Sequence, residues 1–268
     1  MKRIPFLSVN LIGVIAFTWP LFAPDLALFR RAHNFNSHAA GWLALLVAAC
    51  AALLLTSLIS RKLIDSKIVA IVGVLTAAIS VLRLLGAGAV GIEPMWFLLI
   101  IAARIFGSEI GMCIGIVAMA ASAILSGGVG PWLSFQMFAA GWVALGVSLI
   151  PRRIVGRAEI AALASYGIFA SLIFGALMDL QLWPWLLGED TQLSYVLGGS
   201  VVENLHRFII FHFATSLAWD IPRAILTATL IIATGRPILS ALTNTATRLS
   251  LNPRLSAISR AKERAELS

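Results

Sequence analysis

The feature that leaves this chain least freedom is its series of long apolar runs without polar stripes. Residues 41–59, GWLALLVAACAALLLTSLI, contain no charged side chain. A helix needs roughly 18–20 apolar residues to cross a bilayer's hydrocarbon core. A helix of a soluble bundle would carry a polar face at helical spacing, and a half-buried strand would alternate. These runs do neither. In hydrocarbon every backbone amide and carbonyl must be satisfied within the chain, which leaves helices as the structure for uniformly apolar runs. Composition agrees: 60% of residues are hydrophobic and 12% charged, with mean hydropathy +0.95. The chain reads as an all-α integral membrane protein.

Eight apolar segments are expected, two and then six, at 1–23, 41–59, 67–85, 95–105, 111–125, 131–150, 160–180 and 204–234. The first opens with Lys2 and Arg3 and could be a secretory signal, but no small-x-small site follows Trp19-Pro20-Leu21-Phe22, so a retained helix is predicted. The segment at 95–105 is short for a span. The expected organisation is a two-helix membrane extension at 1–66, a six-helix membrane domain at 67–235, and a basic, partly helical tail at 236–268, broken by Pro253.

Basic residues sort these segments. Lys2, Arg3, Arg61, Lys62, Lys67, Arg152, Arg153, Arg157 and six tail residues fall on one side, opposed among loop residues by Arg30 and Arg31. The positive-inside rule then places both termini in the cytoplasm of a multi-pass cell-membrane protein. The formal charge of +8 is thereby explained by topology, with the bilayer as partner and not nucleic acid. Cys50 and Cys113 lie inside apolar runs, which argues against a disulfide framework or a metal cluster.

On this orientation three polar stretches face outward: 86–93, 127–131 and 179–203. The central one belongs to SGGVGPWLSFQMFAAGW at 126–142, a glycine turn, a proline suited to a first helical position, then Trp132, Phe135, Gln136 and the small run Ala139-Ala140-Gly141. No Lys-Ser/Thr follows the glycines, so no phosphate loop is indicated. Further polar helix ends carry Asp179 with Gln181 and Asn204 with Arg207. An interfacial aromatic belt is the expected role for most of Trp19, Trp42, Trp96, Trp132, Trp183 and Trp185, with pocket lining weighed equally for Trp132. His206 and His212, six apart, face different ways on a helix, unlike a zinc pair. Asp220 and Arg223, three apart, share a face and are expected to neutralise each other, or alternatively to couple to a partner protein. Arg207 can pair with Glu203 four residues earlier. Gly73 and Ala77 would let another helix approach closely, inside the bundle or from a partner.

Three stretches carry a family resemblance: LRLLGAGAVGIEPMWFLLI at 82–100, SGGVGPWLSFQMFAAGW at 126–142, and SLAWDIPRA at 216–224. Residues 69–185 and 208–241 resemble the substrate-binding membrane subunit, or S component, of energy-coupling-factor vitamin transporters in its actinobacterial form. The resemblance implies a six-helix binding protein without enzymatic activity or cofactor, here preceded by two additional transmembrane helices. It implies capture of a vitamin-like molecule from outside and delivery inward with a transmembrane coupling subunit and two cytoplasmic ATPases. The family's binding residues map onto Trp132, Gln136, Asp179, Gln181, Asn204 and Arg207. Its Ala-x-x-x-Ala docking motif maps onto Gly73 and Ala77, a variant that keeps small side chains. Two other readings stay open: a membrane enzyme for a lipid or isoprenoid substrate using Glu203, His206 and Arg207, and a membrane scaffold without a ligand.

Overall fold

Apolar runs become helices throughout, although several ends shift and one expected helix is divided in two. The computed structural model describes residues 4–22, 38–60, 66–86, 90–186 and 191–248. Regular structure in these residues is entirely helical: α1 (Ile4–Phe22), α2 (His38–Ser60), α3 (Ser66–Leu85), α4 (Met95–Phe106), α5 (Ser108–Ser126), α6 (Trp132–Gly146), α7 (Arg157–Leu186), α8 (Val201–Thr215) and α9 (Leu217–Arg248). A 3-10 turn, Val147–Leu149, extends α6. Five of these helices, α3, α5, α6, α7 and α9, are long and apolar enough to cross a membrane, while α4 has only 12 residues. The chain is a bundle of membrane helices. The basic residues at 2–3, 30–31 and 61–62, the acidic pair Glu189 and Asp190, and the tail beyond 248 lie outside the described residues.

The single helix expected at 204–234 is two helices that meet at Ser216. Two local causes coincide. The Ser216 hydroxyl donates to Asp179 Oδ2 at 2.5 Å, and Pro222, five residues into α9, has no N–H for the Ala218 carbonyl and crowds it. At the junction the Ser216 carbonyl accepts from the amides of both Trp219, at 2.8 Å, and Asp220, at 2.9 Å. Together α8 and α9 run antiparallel to α7: Phe208 packs on Trp183, Asp220 on Gly175, Thr227 on Gly167 and the Gly235 backbone on Ile160. At the other end α9 continues to Arg248, so the boundary expected at 235/236 falls inside a helix.

Small residues set the closest approaches. A Cβ at Gly115 would lie 2.9 Å from the Ala140 carbonyl oxygen, and one at Gly141 would meet Met112 and Ile116. The run Ala139-Ala140-Gly141 therefore draws α6 against α5, as small residues do between membrane helices.

The N-terminal pair is not peripheral. Phe17, Val47 and Leu54 are fully buried in the same core as Ile79, Leu99, Ile116 and Phe138. α2 packs on α6, and α1 on α7 and α8. A hydrogen bond from Trp142 Nε1 to Asn10 Oδ1, 2.7 Å, joins α6 to α1 across 132 positions of sequence. The expected aromatic belt is corrected here. Trp19, Trp96, Trp183 and Trp185 are buried, and Trp42 is exposed. Helix pairing, not the lipid interface, accounts for the buried ones: Trp96 lies on Phe174 at 4.4 Å, Trp183 on Phe208 at 5.4 Å, and Trp19 on Trp185 at 5.8 Å.

Candidate functional site

Apart from the Arg104–Glu159 pair at the other end, most charged and amide side chains inside the bundle lie toward one end, that of the glycine turn at 127–130. Three of the groups there come from α3, α5 and α6. Arg83, near the end of α3, donates to Ser122 Oγ at 3.0 Å and to Gln136 Oε1 at 3.1 Å. Ser122 in turn donates to the Ala118 carbonyl at 2.7 Å. The half-buried Gln136 thus spends its carbonyl on a guanidinium, and its NH₂ group has no described partner. Trp132, one turn before it, lays its indole over Gly130.

A second set links α4, α7 and α9. Arg223 is 6% exposed and lies between two carboxylates, with Nη1 2.6 Å from Asp220 Oδ1 and Nε 2.7 Å from Glu93 Oε2. The Trp96 indole donates to that same Glu93 oxygen at 2.7 Å. Phe174 puts its ring under the guanidinium, 5.1 Å from its carbon. The Asp220 carboxylate fits because residue 175 is glycine: any Cβ there would collide with it. The expected Asp220–Arg223 pair is present, and the structure adds Glu93 as a second anion. Asp220 Oδ2 is buried without a hydrogen-bond partner.

A third set fastens α8 to α7. Asp179 Oδ2 is 2.8 Å from His212 Nδ1 and accepts from Ser216 Oγ. His206 is exposed while His212 is half-buried, so the two histidines face apart as their spacing requires. Among the described residues no group of three His, Cys, Asp or Glu side chains could hold a metal ion.

Hydrogen bonding divides the six residues mapped from the family among separate clusters. Trp132 and Gln136 stand with Arg83. Asp179 stands with His212. Gln181 is 5% exposed, and its Oε1 has no partner. Asn204 is fully buried and closes on the chain itself: Oδ1 accepts from the Val196 amide and Nδ2 donates to the Val196 carbonyl, both at 2.9 Å. With both halves of its amide occupied, it pins the 191–200 loop onto α8. Arg207 bonds Glu203 Oε1 at 3.0 Å and the Thr191 carbonyl at 3.1 Å. The Glu203–Arg207 pairing foreseen from spacing is the one observed. α1 touches both the α6 side and the α7 side, through Phe17 against Phe135 at 5.0 Å and Trp19 against Tyr195 at 6.0 Å.

In the sequence Arg83 falls near the end of the 67–85 segment and Glu93 in the 86–93 stretch, and neither they nor His212 have a visible partner. A signal was present: Arg83, Asp220 and Arg223 are ionisable groups within predicted spans, each of which demands a partner. Their partners, Gln136 and Glu93, are 53 and 130 positions away. Gly73 and Ala77 lie exposed on α3 beside Val74 and Val81, with no atom within 4 Å of a Cβ at Gly73. Among the described residues nothing packs against Gly73, so neither residue is buried inside the described bundle.

No protein-family model, no curated protein and no solved structure matches this chain.

Proposed function

We propose that this chain is the solute-capturing membrane subunit of an energy-coupling-factor importer. In this reading it takes a vitamin or related cofactor precursor from outside and passes it inward with a coupling subunit and two ATPases. The observation that carries the reading is the convergence of Arg83, Glu93, Gln136, Asp179, His212, Asp220 and Arg223 at one end of a largely apolar bundle. Ionisable groups inside a membrane are costly and commonly mark a solute path. Two acceptors there, Gln181 Oε1 and Asp220 Oδ2, are buried without partners. A hydrogen bond from a bound donor to either would be worth on the order of 1–3 kcal/mol.

Two further features agree with the resemblance. Beyond residue 66, α3 to α7 and the broken α8–α9 column make six helical columns, the number expected of an S component. Gly73 and Ala77 sit on an open helix face, which suits docking of a coupling subunit. By positive-inside reasoning the end with Arg152, Arg153 and Arg157 is cytoplasmic, which turns the polar end outward.

Mass spectrometry of small molecules released from the purified chain identifies the solute. Gln136→Leu and Asp179→Asn are expected to weaken its binding roughly ten- to hundredfold, with Trp42→Ala unchanged. The double change Gly73→Leu with Ala77→Leu should abolish uptake while leaving binding intact. The reading fails if no metabolite co-purifies and no flat-ring vitamin binds.

A further inference from the structure

The opposite end of the bundle holds a cavity of about 70 Å³, lined by Arg104, Arg152, Ser108, Ser148, Val147 and Ile150. That is room for on the order of five water molecules, enough for a tetrahedral anion and too little for a ring-bearing solute. The cavity follows from how α4 turns into α5. Gly107 alone connects them, with φ 98° and ψ 149°, a conformation open to glycine. The reversal leaves α5 starting beside the end of α6, and no side chain caps that start. A helix N-terminus presents unsatisfied amides and partial positive charge.

One wall is rigid. Arg104, with a side chain 7% exposed, bonds Glu159 Oε1 at 2.7 Å and the carbonyls of Ile150 and Ile154 at 2.9 Å and of Pro151 at 3.3 Å. Those bonds hold the 150–154 loop, and Glu159 offsets the Arg104 charge. Arg152, carried by the same loop, is exposed and makes no described hydrogen bond or ion pair. Arg153 and Arg157, close by in sequence, are exposed, and Glu109 lies in the first turn of α5. The Ser108 hydroxyl is uncommitted, whereas Ser148 donates to the Leu145 carbonyl at 2.8 Å. Leu149, between the lining residues Ser148 and Ile150, and Val155, next to Ile154 in sequence, are 76% and 68% exposed. A fixed polar recess with an unpaired guanidinium, bordered by exposed aliphatic side chains, matches an anion attached to an apolar tail.

We propose that this cavity binds the phosphate group of an anionic phospholipid, with Arg152, the Ser108 hydroxyl and the α5 amides donating to its oxygens and Leu149 and Val155 lying along the acyl chains. Guanidinium groups form strong paired hydrogen bonds to phosphate, and basic recesses between membrane helices are suited to lipid headgroups. The full chain, purified in detergent, is tested by native mass spectrometry against phosphatidylglycerol, phosphatidylcholine and inorganic phosphate. Phosphatidylglycerol should bind at least tenfold more tightly than phosphatidylcholine. Arg152→Gln, and separately Ser108→Leu to fill the cavity, should each weaken it about tenfold, while Arg153→Gln leaves it unchanged. Thiol-probe unfolding curves that coincide with the parent's show that the variants are folded. Equal loss in Arg153→Gln would assign the binding to diffuse surface charge and overturn the proposal. Displacement of the lipid by millimolar inorganic phosphate, with the same dependence on Arg152, would place the ligand's source in solution and overturn the lipid assignment.

Discussion

Replacing Arg223 with methionine probes the polar end of the bundle most directly. The guanidinium stands 2.6 Å from one carboxylate and 2.7 Å from another. At an effective dielectric of about 20, each pair has a gross attraction of roughly 6 kcal/mol. Most of that offsets the cost of removing the three charges from water. Deleting the cation alone strands Asp220, which is 1% exposed and already has one oxygen without a partner. Glu93 retains the Trp96 indole and greater exposure. Breaking such a buried pair costs about 3–5 kcal/mol, or on the order of 10 °C in Tm at roughly 2–4 °C per kcal/mol. The free, buried thiols of Cys50 and Cys113 supply the assay, since a thiol-reactive fluorophore reports their exposure as detergent-solubilised protein is heated. Adding Asp220→Leu and Glu93→Gln to Arg223→Met removes the stranded anions and should restore most of the loss. A single variant within 2 °C of the parent, or a triple variant less stable than the single one, would refute the view that mutual neutralisation holds α4, α7 and α9 together.

Other expectations follow from individual contacts. Gly175→Ala should lower stability by about 1–3 kcal/mol by overpacking against Asp220, whereas Gly73→Ala meets no neighbour and should not lower it; the same unfolding assay reads both. Asn204→Leu should release the 191–200 loop, seen as faster proteolysis there, with a loss of about 1–3 kcal/mol. Asn10→Leu leaves the Trp142 indole N–H without its acceptor and should cost about 1–3 kcal/mol; an unchanged unfolding curve would mean that α1 is not fastened to α6 by this bond.

The apolar runs by themselves determine that this chain is helical and membrane-embedded, because hydrocarbon offers backbone groups no partners and a uniformly apolar segment has no polar face to give to water. Local spacing likewise determines the contacts within one helix: Glu203 with Arg207, Asp220 with Arg223, and the divergence of His206 from His212. Close packing at Ala139-Ala140-Gly141 was legible for the same reason, since side-chain size is a local property. Tertiary structure alone decided which distant residues meet. Arg83 finds Gln136, Arg223 finds Glu93 and Trp142 finds Asn10 through helix neighbours that uniformly apolar surfaces do not specify. The same freedom explains why tryptophans read as an interfacial belt are largely buried: hydropathy registers that an indole is apolar, and only packing determines whether lipid or another helix covers it. The break at Ser216 was hidden because its cause is shared between Pro222, visible in the sequence, and Asp179, brought across from α7 by the fold.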